Sequence, residues 1–360
     1  MSKIKHILNL LNFCRGGWIP KTGPLKAFFE ITFRCNSKCK NCDIWKKPNK
    51  KDEMNTVQAE NVLKQLAENN VLHISFSGGE PFLRDDLLDL IKFSKTLGMK
   101  TSVNTNGWLI DNEVAKEICQ SGLDTIYISL DGASSQIHDY IRGVNGSFER
   151  ALKAVDYSVM ERFDGKPRVF VNITINKNNV KDLSKILKLS EAREVDGVTM
   201  SVVQDFDKYK PEKEMLLNID YIELLNKQLE SIEKNYKHLL AHMDDYFSEL
   251  EVYIREPNQL YKYRCVASYA TVLIHPNGDV FPCPVAFEKM GNMLKNSFAE
   301  IWYSEKANLL RKRIKENQHP ICWFDCMAPL NILFFYVGHF KIFKVLNPRF
   351  LGYLKHKVMA

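Results

Sequence analysis

Long apolar runs are missing from this 360-residue chain. No stretch of about eighteen apolar residues occurs, so a membrane-spanning helix is not expected. Residues 1–20 hold Lys3, Lys5, His6 and Arg15 among apolar residues, with no continuous apolar core and small-residue cleavage site, so no secretory signal is expected. Cysteine is sparse. Nine residues are too few for a disulfide scaffold, and their uneven placement predicts a reducing, cytoplasmic setting and a metal or cluster site. Repeats and low-complexity segments are absent, and a composition of 45% hydrophobic and 26% charged residues excludes a disordered or collagen-like chain. Acid is missing from both ends. Residues 1–29 contain Lys3, Lys5, Arg15, Lys21 and Lys26, and residues 327–360 contain Lys341, Lys344, Arg349, Lys355 and Lys357. The net charge is +7, so the body between the ends is slightly acidic. That argues against a broad nucleic-acid surface, and no nucleic-acid partner is expected.

What is present is strand–helix alternation. Apolar runs rich in Ile, Val, Phe, Tyr and Thr lie at 27–33, 71–77, 100–104, 124–130, 168–175 and 197–203. Helical patterns fill the gaps at 56–69, 84–97, 112–120, 146–160 and 180–192. Six such units predict an α/β fold with a parallel sheet, a partial (β/α)6 TIM-like barrel rather than a full eight-stranded one. The loops after each strand then carry the chemistry. The expected divisions are an N-terminal segment 1–24, a barrel 25–206, a charged helical linker 207–260, a small module 261–326 and a C-terminal segment 327–360. The small module combines a hairpin (268–274 and 279–285 around Asn277-Gly278) with a helix over 297–316.

Cys35, Cys39 and Cys42 form C-x3-C-x2-C on the loop after the first strand. Three thiolates can hold three irons of a four-iron cluster and leave the fourth iron open to a ligand. Zinc and chance placement are the alternatives. Zinc asks for four ligands in tight pairs, and no fourth partner sits beside this loop. The second strand ends in Ser77-Gly78-Gly79-Glu80-Pro81, where glycines permit close backbone approach and a carboxylate can take a charge-assisted hydrogen bond from an ammonium group. Alone, such a stretch is an ordinary turn. His73 reads as a core histidine, Cys14 and Cys119 read as packing residues, and His138 with Arg142 can equally be a solvated helix face.

As a set, CNSKCKNC (35–42), SGGEP (77–81), NTNG (104–107), SLDG (129–132) and HDYIRG (138–143) resemble the radical S-adenosylmethionine superfamily. The resemblance implies that Cys35, Cys39 and Cys42 ligate a [4Fe-4S] cluster whose open iron chelates S-adenosylmethionine. Gly78, Gly79 and Glu80 would hold the methionyl amine. Asn106, Ser129 and Asp131 would meet ribose and carboxylate, Arg142 would pair with the carboxylate, and Asn172 and Val203 would approach from strands 5 and 6. Asn41 stands where many relatives have an aromatic residue.

Cys265, Cys283, Cys322 and Cys326 form the second set, with Cys265-x12-Gly278-x4-Cys283 followed by a C-x3-C pair. Four thiolates suit a fully ligated four-iron cluster, with zinc or core packing as alternatives. The pattern, with GNMLKNSFAEIW (291–302), resembles a shortened SPASM or twitch extension. That implies one auxiliary [4Fe-4S] cluster acting in electron relay or substrate anchoring. The function expected is reductive cleavage of S-adenosylmethionine to a 5′-deoxyadenosyl radical that abstracts a hydrogen from a lipid, peptide or cofactor precursor. The electron would come from a donor such as flavodoxin or ferredoxin. The competing classes are an iron–sulfur electron carrier and a zinc-stabilised interaction protein. At the ends, Ile4, Ile7, Leu8 and Leu11 share one helix face beside Lys3 and Lys5, and 327–348 is aromatic, apolar and basic. Both patterns fit either peripheral binding at the inner face of a membrane or packing over the barrel.

Overall fold

A computed structural model describes residues 2–47, 52–206, 210–241, 244–285 and 288–339. Six parallel strands carry the first half: β1 (Lys26–Thr32), β2 (His73–Gly78), β3 (Lys100–Thr105), β4 (Thr125–Ser129), β5 (Arg168–Ile175) and β6 (Gly197–Val202). Each lies within two residues of the run that predicted it. Helices Thr56–Glu68, Leu87–Thr96, Asn112–Gln120, Ser147–Met160 and Leu183–Glu191 return the chain between strands. Local chemistry sets their starts. Asn55 and Gln58 form a reciprocal capping box, and Asp111 accepts from the Val114 amide. A further helix, Ser135–Arg142, follows β4. The helices cover one face of the sheet, so strand residues are buried on both sides, and every residue of β1 is buried. Phe29 and Phe76 are fully buried on neighbouring strands with ring centroids 6.2 Å apart. Each such side chain contributes about 1.5–3 kcal/mol of burial.

The second module continues this sheet. β7 (Thr271–Ile274) pairs in parallel with β1, with Lys26 opposite Thr271 and Phe29 opposite Ile274. β8 (Asp279–Phe281) and β9 (Gly291–Asn292) follow antiparallel. Among the described residues the strand order is β6-β5-β4-β3-β2-β1-β7-β8-β9, an open and partial barrel. The hairpin turns at 275–278 as Asn277-Gly278 predicted. The helix expected over 297–316 is two, Phe298–Trp302 and Glu305–Lys315. Ser304 breaks it by leaving helical geometry and accepting from the Ala307 amide to start the second piece. The linker holds helices Ile222–Asn235, Asp244–Ser248 and Leu250–Arg255.

Helix Ser2–Cys14 packs against helix Ala328–Gly338, and both lie against the second module. Residues 340–360 of the expected C-terminal segment, with Lys341, Lys344, Arg349, Lys355 and Lys357, lie outside the described residues. No described helix is long and apolar enough to cross a membrane.

Candidate active site

The register of β1 and β2 is regular from Lys26↔His73 to Glu30↔Ser77 and slips before Thr32↔Gly78. The slip opens the end of β1 into the cysteine loop. Glu53 fixes the start of that loop by accepting from Thr32 Oγ1 (2.9 Å) and the Phe33 amide (2.7 Å). Gly78 and Gly79 hold the β2 end against it. The Gly79 amide donates to Thr32 O (2.7 Å) and the Glu80 amide to Arg34 O (2.8 Å). A Cβ on Gly79 would stand 2.0 Å from Arg34 O, and Gly78 has φ +121°. No side chain fits at either place.

Glu80 is fully buried. Its carboxylate accepts from Thr105 Oγ1 (2.8 Å), the Asn106 amide (2.8 Å) and the Phe82 amide (3.2 Å). Burial pushes its carboxyl above the ordinary range, against the pull of those three donors. Asn106 in turn donates to Asn36 Oδ1 (2.7 Å) and Ser37 Oγ (3.1 Å), drawing the loop after β3 onto the cysteine loop.

The other flank is built by helix Ser135–Arg142. The Lys38 and Lys40 amides donate to the Arg142 and Ile141 carbonyls (3.2 and 2.9 Å), satisfying orphan groups at the helix end. Gly143 makes this docking possible. Its φ is +65°, and a Cβ there would meet Lys38 O at 2.3 Å. Arg142 is buried. Its Nε lies 3.1 Å from Asp131 Oδ2, and its Nη1 donates to Cys39 Sγ (3.6 Å). Burial works against its charge, but Asp131 and Cys39 outweigh it and hold the guanidinium above its ordinary pKa. Asp131 Oδ1 accepts from the Thr174 amide (2.7 Å) and the Asp131 amide donates to His138 Nδ1 (3.0 Å). His138 and Arg142 are therefore interior residues of the loop scaffold and not a solvated face. Burial lowers the His138 pKa to about 3. Ser129 and Asn172 are half-buried register partners on β4 and β5, and Asn172 Oδ1 accepts from Thr199 Oγ1 (2.8 Å). His73 is buried and bonded to Ser102 Oγ (2.9 Å), a satisfied core histidine.

The donor set beside these loops suits a metal cluster. Burial pushes the Cys35 thiol up to about 11 and that of Cys42 up to about 12. Bound iron reverses that penalty by supplying positive charge. Asn36 Nδ2 and both polar side-chain atoms of Asn41 are buried without a partner on the same loop, leaving hydrogen-bonding capacity for a bound group. Among the described residues no three Cys, His, Asp or Glu side chains converge as tightly as a single metal ion requires.

The second cysteine set meets at a small cavity. Cys265, Cys283 and Cys322 line it with His319 and apolar neighbours, and the Cys322 thiol feels the charge of Cys283, Cys265 and Cys326. Burial pushes Cys265 up to about 12 and Cys322 well above the ordinary value. Gln204, two residues beyond β6, ties this set to the barrel: its Oε1 accepts from the Trp323 amide (2.9 Å), between Cys322 and Cys326. Trp323 is fixed further by Tyr246, with rings stacked at 5.9 Å and Nε1 donating to the Tyr246 carbonyl (2.9 Å).

A cleft of about 460 Å³ opens beyond the end of β6, with Pro320 and Ile321, the residues just before Cys322, on its lining. Val202, Val203, Gln204, Asp205 and Leu216 form its barrel wall, and Tyr253, Asn258, Tyr261, Pro320 and Ile321 the opposite one. Leu216 also packs in the apolar cluster of Ile141, next to Arg142. Sequence reasoning stopped at Val203 and missed Gln204 and Asp205. The polar strand-end pattern that marked Ser129 also marks these two. It also missed the clamp in which Lys40 Nζ pairs with Glu212 (2.7 Å) and Glu214 (3.1 Å), because those partners are far apart in sequence.

Residues 29–190 match the Radical SAM superfamily and residues 265–327 the iron–sulfur cluster-binding domain SPASM, together more than half of the chain. The chain is 26% identical over 299 residues to the PqqA peptide cyclase of Rhizobium meliloti, covering 79% of this chain and 75% of that one. It is 25% identical over 302 residues to an AdoMet-dependent heme synthase of Methanosarcina barkeri, covering 80% and 84%. Among solved structures, Streptococcus suis SuiB bound to S-adenosylmethionine superposes with a TM-score of 0.65 at 22% identity, covering 81% of this chain and 68% of that one, a likeness of fold.

Proposed function

The chain belongs to the radical S-adenosylmethionine superfamily and carries a SPASM iron–sulfur domain, and we propose that this enzyme abstracts a hydrogen atom from a peptide held in the cleft between barrel and second module. Cys35, Cys39 and Cys42 hold the cluster that binds S-adenosylmethionine, and Cys265, Cys283, Cys322 and Cys326 hold one auxiliary [4Fe-4S] cluster. When bound and reduced by one electron from a flavodoxin- or ferredoxin-class donor, cluster and S-adenosylmethionine supply methionine and a 5′-deoxyadenosyl radical, which takes the substrate hydrogen. The chain's own residues orient and seal. Gly78, Gly79 and Glu80 present backbone groups to the methionyl amine. Asn106, Ser129, Asp131, Arg142 and Asn172 surround the remainder. Arg142, oriented by Asp131, puts its guanidinium charge beside Cys39.

The cleft lining carries the reading of substrate class. It offers an amide partner in Asn258, aromatic faces in Tyr253 and Tyr261, and apolar wall. Among the described lining residues there is no Lys or Arg to pair with tetrapyrrole carboxylates and no His to ligate a tetrapyrrole iron. A neutral or basic peptide segment suits it, with Asp205 as its acidic group.

The test is anaerobic. Reconstituted protein is mixed with S-adenosylmethionine and dithionite, and 5′-deoxyadenosine is quantified for wild type and Cys42→Ala. Product from wild type alone supports the initiation site, and equal product from both refutes it. Mass spectrometry of added peptide and tetrapyrrole pools then reads the class. A peptide whose mass shifts only with S-adenosylmethionine present supports the proposal, and turnover confined to tetrapyrroles overturns it.

A further inference from the structure

The first helix is oriented against the usual rule. Its apolar stripe does not face the protein. Ile4, Ile7, Leu8 and Leu11 are 61%, 57%, 55% and 41% exposed. The docked face is instead Asn9, Asn12 and Phe13. Tyr269 Oη donates to the Asn9 carbonyl (2.8 Å), Asn12 Nδ2 donates to Tyr269 Oη (2.8 Å), and Phe13 packs on Tyr269 and Phe334. Arg264 donates to the carbonyls of Phe13 (2.9 Å) and Gly17 (2.6 Å). The helix is thus anchored by polar bonds, with the stripe held outward. Ile19 extends it beyond the helix end, 46% exposed.

The charge that the helix's own segment carries is of one sign. Lys3, Lys5, Arg15 and Lys21 are exposed there, and residues 1–29 contain no acid. Helix Ala328–Gly338 ends at the same place: a Cβ on Gly338 would stand 3.5 Å from Cys14 Cβ. The sequence beyond it, 340–360, adds five Lys and Arg, again with no acid. The outward apolar stripe is thus flanked by the exposed Lys3, Lys5 and Arg15 of its own segment.

We propose that this face is the docking surface for an anionic lipid bilayer, on which the first helix lies in the interfacial plane. An apolar stripe flanked by Lys and Arg is the chemistry that such a surface recognises. Two other occupants fit less well. The 340–360 segment is itself basic, and laying it on the stripe sets like charges together. A second copy related by a twofold axis would bring Lys3, Lys5 and Arg15 against themselves.

The test uses the full reconstituted chain and sedimentation with vesicles of equimolar phosphatidylglycerol and phosphatidylcholine, or of phosphatidylcholine alone. Wild type is expected to partition at least tenfold more onto the anionic vesicles. Ile7→Ser/Leu8→Ser and Lys3→Glu/Lys5→Glu are each expected to lose at least tenfold of that binding, with 5′-deoxyadenosine yield in vesicle-free solution unchanged. These substitutions sit on exposed positions away from the cluster loops. No binding of wild type to anionic vesicles overturns the proposal, as does equal binding by the variants. A wild-type dimer that Ile7→Ser/Leu8→Ser turns into monomer by light scattering overturns it in favour of a second copy. Vesicle binding that appears only after removal of 340–360 overturns it in favour of that segment. Vesicle binding without any radical initiation would separate this surface from the enzymatic reading.

Discussion

Arg142→Gln tests the cysteine-loop scaffold most directly. The substitution leaves the Asp131 carboxylate 1% exposed, with the Thr174 amide as its remaining donor on Oδ1. Removing one partner of a buried ion pair costs about 3–5 kcal/mol, because the survivor is left as an uncompensated charge. At about 2 °C per kcal/mol for a chain of this size, the melting midpoint falls by about 6–10 °C. Asp131→Asn costs a comparable amount. The double variant removes both charges and recovers at least about 2 kcal/mol relative to the sum, which is the coupling of residues in one network. Urea unfolding of the four proteins under anaerobic conditions, followed by circular dichroism, reads this cycle. Strictly additive losses, or single losses below about 1 kcal/mol, would refute the reasoning. Arg142→Gln also removes the donor to Cys39, so iron bound at the first cysteine set should fall even at temperatures where the fold persists.

Gly143→Ala sets a methyl group against the Lys38 carbonyl and should abolish 5′-deoxyadenosine formation while far-ultraviolet circular dichroism stays close to wild type. Gln204→Leu leaves the Trp323 amide buried without its acceptor, a cost of about 1–3 kcal/mol. Iron analysis should show loss from the second cysteine set with the first retained, and equal loss from both would count against it. His138 gives a pH prediction. Burial holds its pKa at about 3, whereas the unfolded chain takes up a proton near 6.5. Its neutral form is compatible with the fold at all pH above 6.5, and stability is lost as pH falls below it, by about 1.4 kcal/mol at pH 5.5. Melting curves of wild type and His138→Asn at pH 7.5 and 5.5 should differ by this amount, and parallel pH dependence would sink the argument.

The strands were legible because parallel strands buried on both faces read as continuous apolar runs such as Ala27–Phe29 and Val169–Val171. Cys35, Glu80, Asn106 and Asp131 were legible as candidates because they follow strand ends, which share one rim in a parallel sheet, and Arg142 because it belongs to the HDYIRG motif. The structure brings these five to that rim. Helix Ser135–Arg142 was readable only as a motif. Its eight residues make only about two turns, and the pattern left His138 and Arg142 open between a solvated face and a site role. The first helix shows the reverse failure. Its periodicity was correct, but periodicity cannot tell a stripe that packs from one that faces outward. That distinction lies in the bonds of Asn9 and Asn12, which reach residues some 250 positions away.

The pairing of β7 with β1 has a consequence for how this protein can be divided. β1 carries a fully buried seven-residue run, and both of its sides are hydrogen-bonded, to β2 and to β7. Cutting the chain before the second module would turn β1 into an open, flat, hydrophobic margin beside the cysteine loop, the kind of strand that templates aggregation. The hairpin is therefore the staple that closes the sheet at its first strand, and a shortened chain lacking it is expected to precipitate before its iron chemistry can be examined.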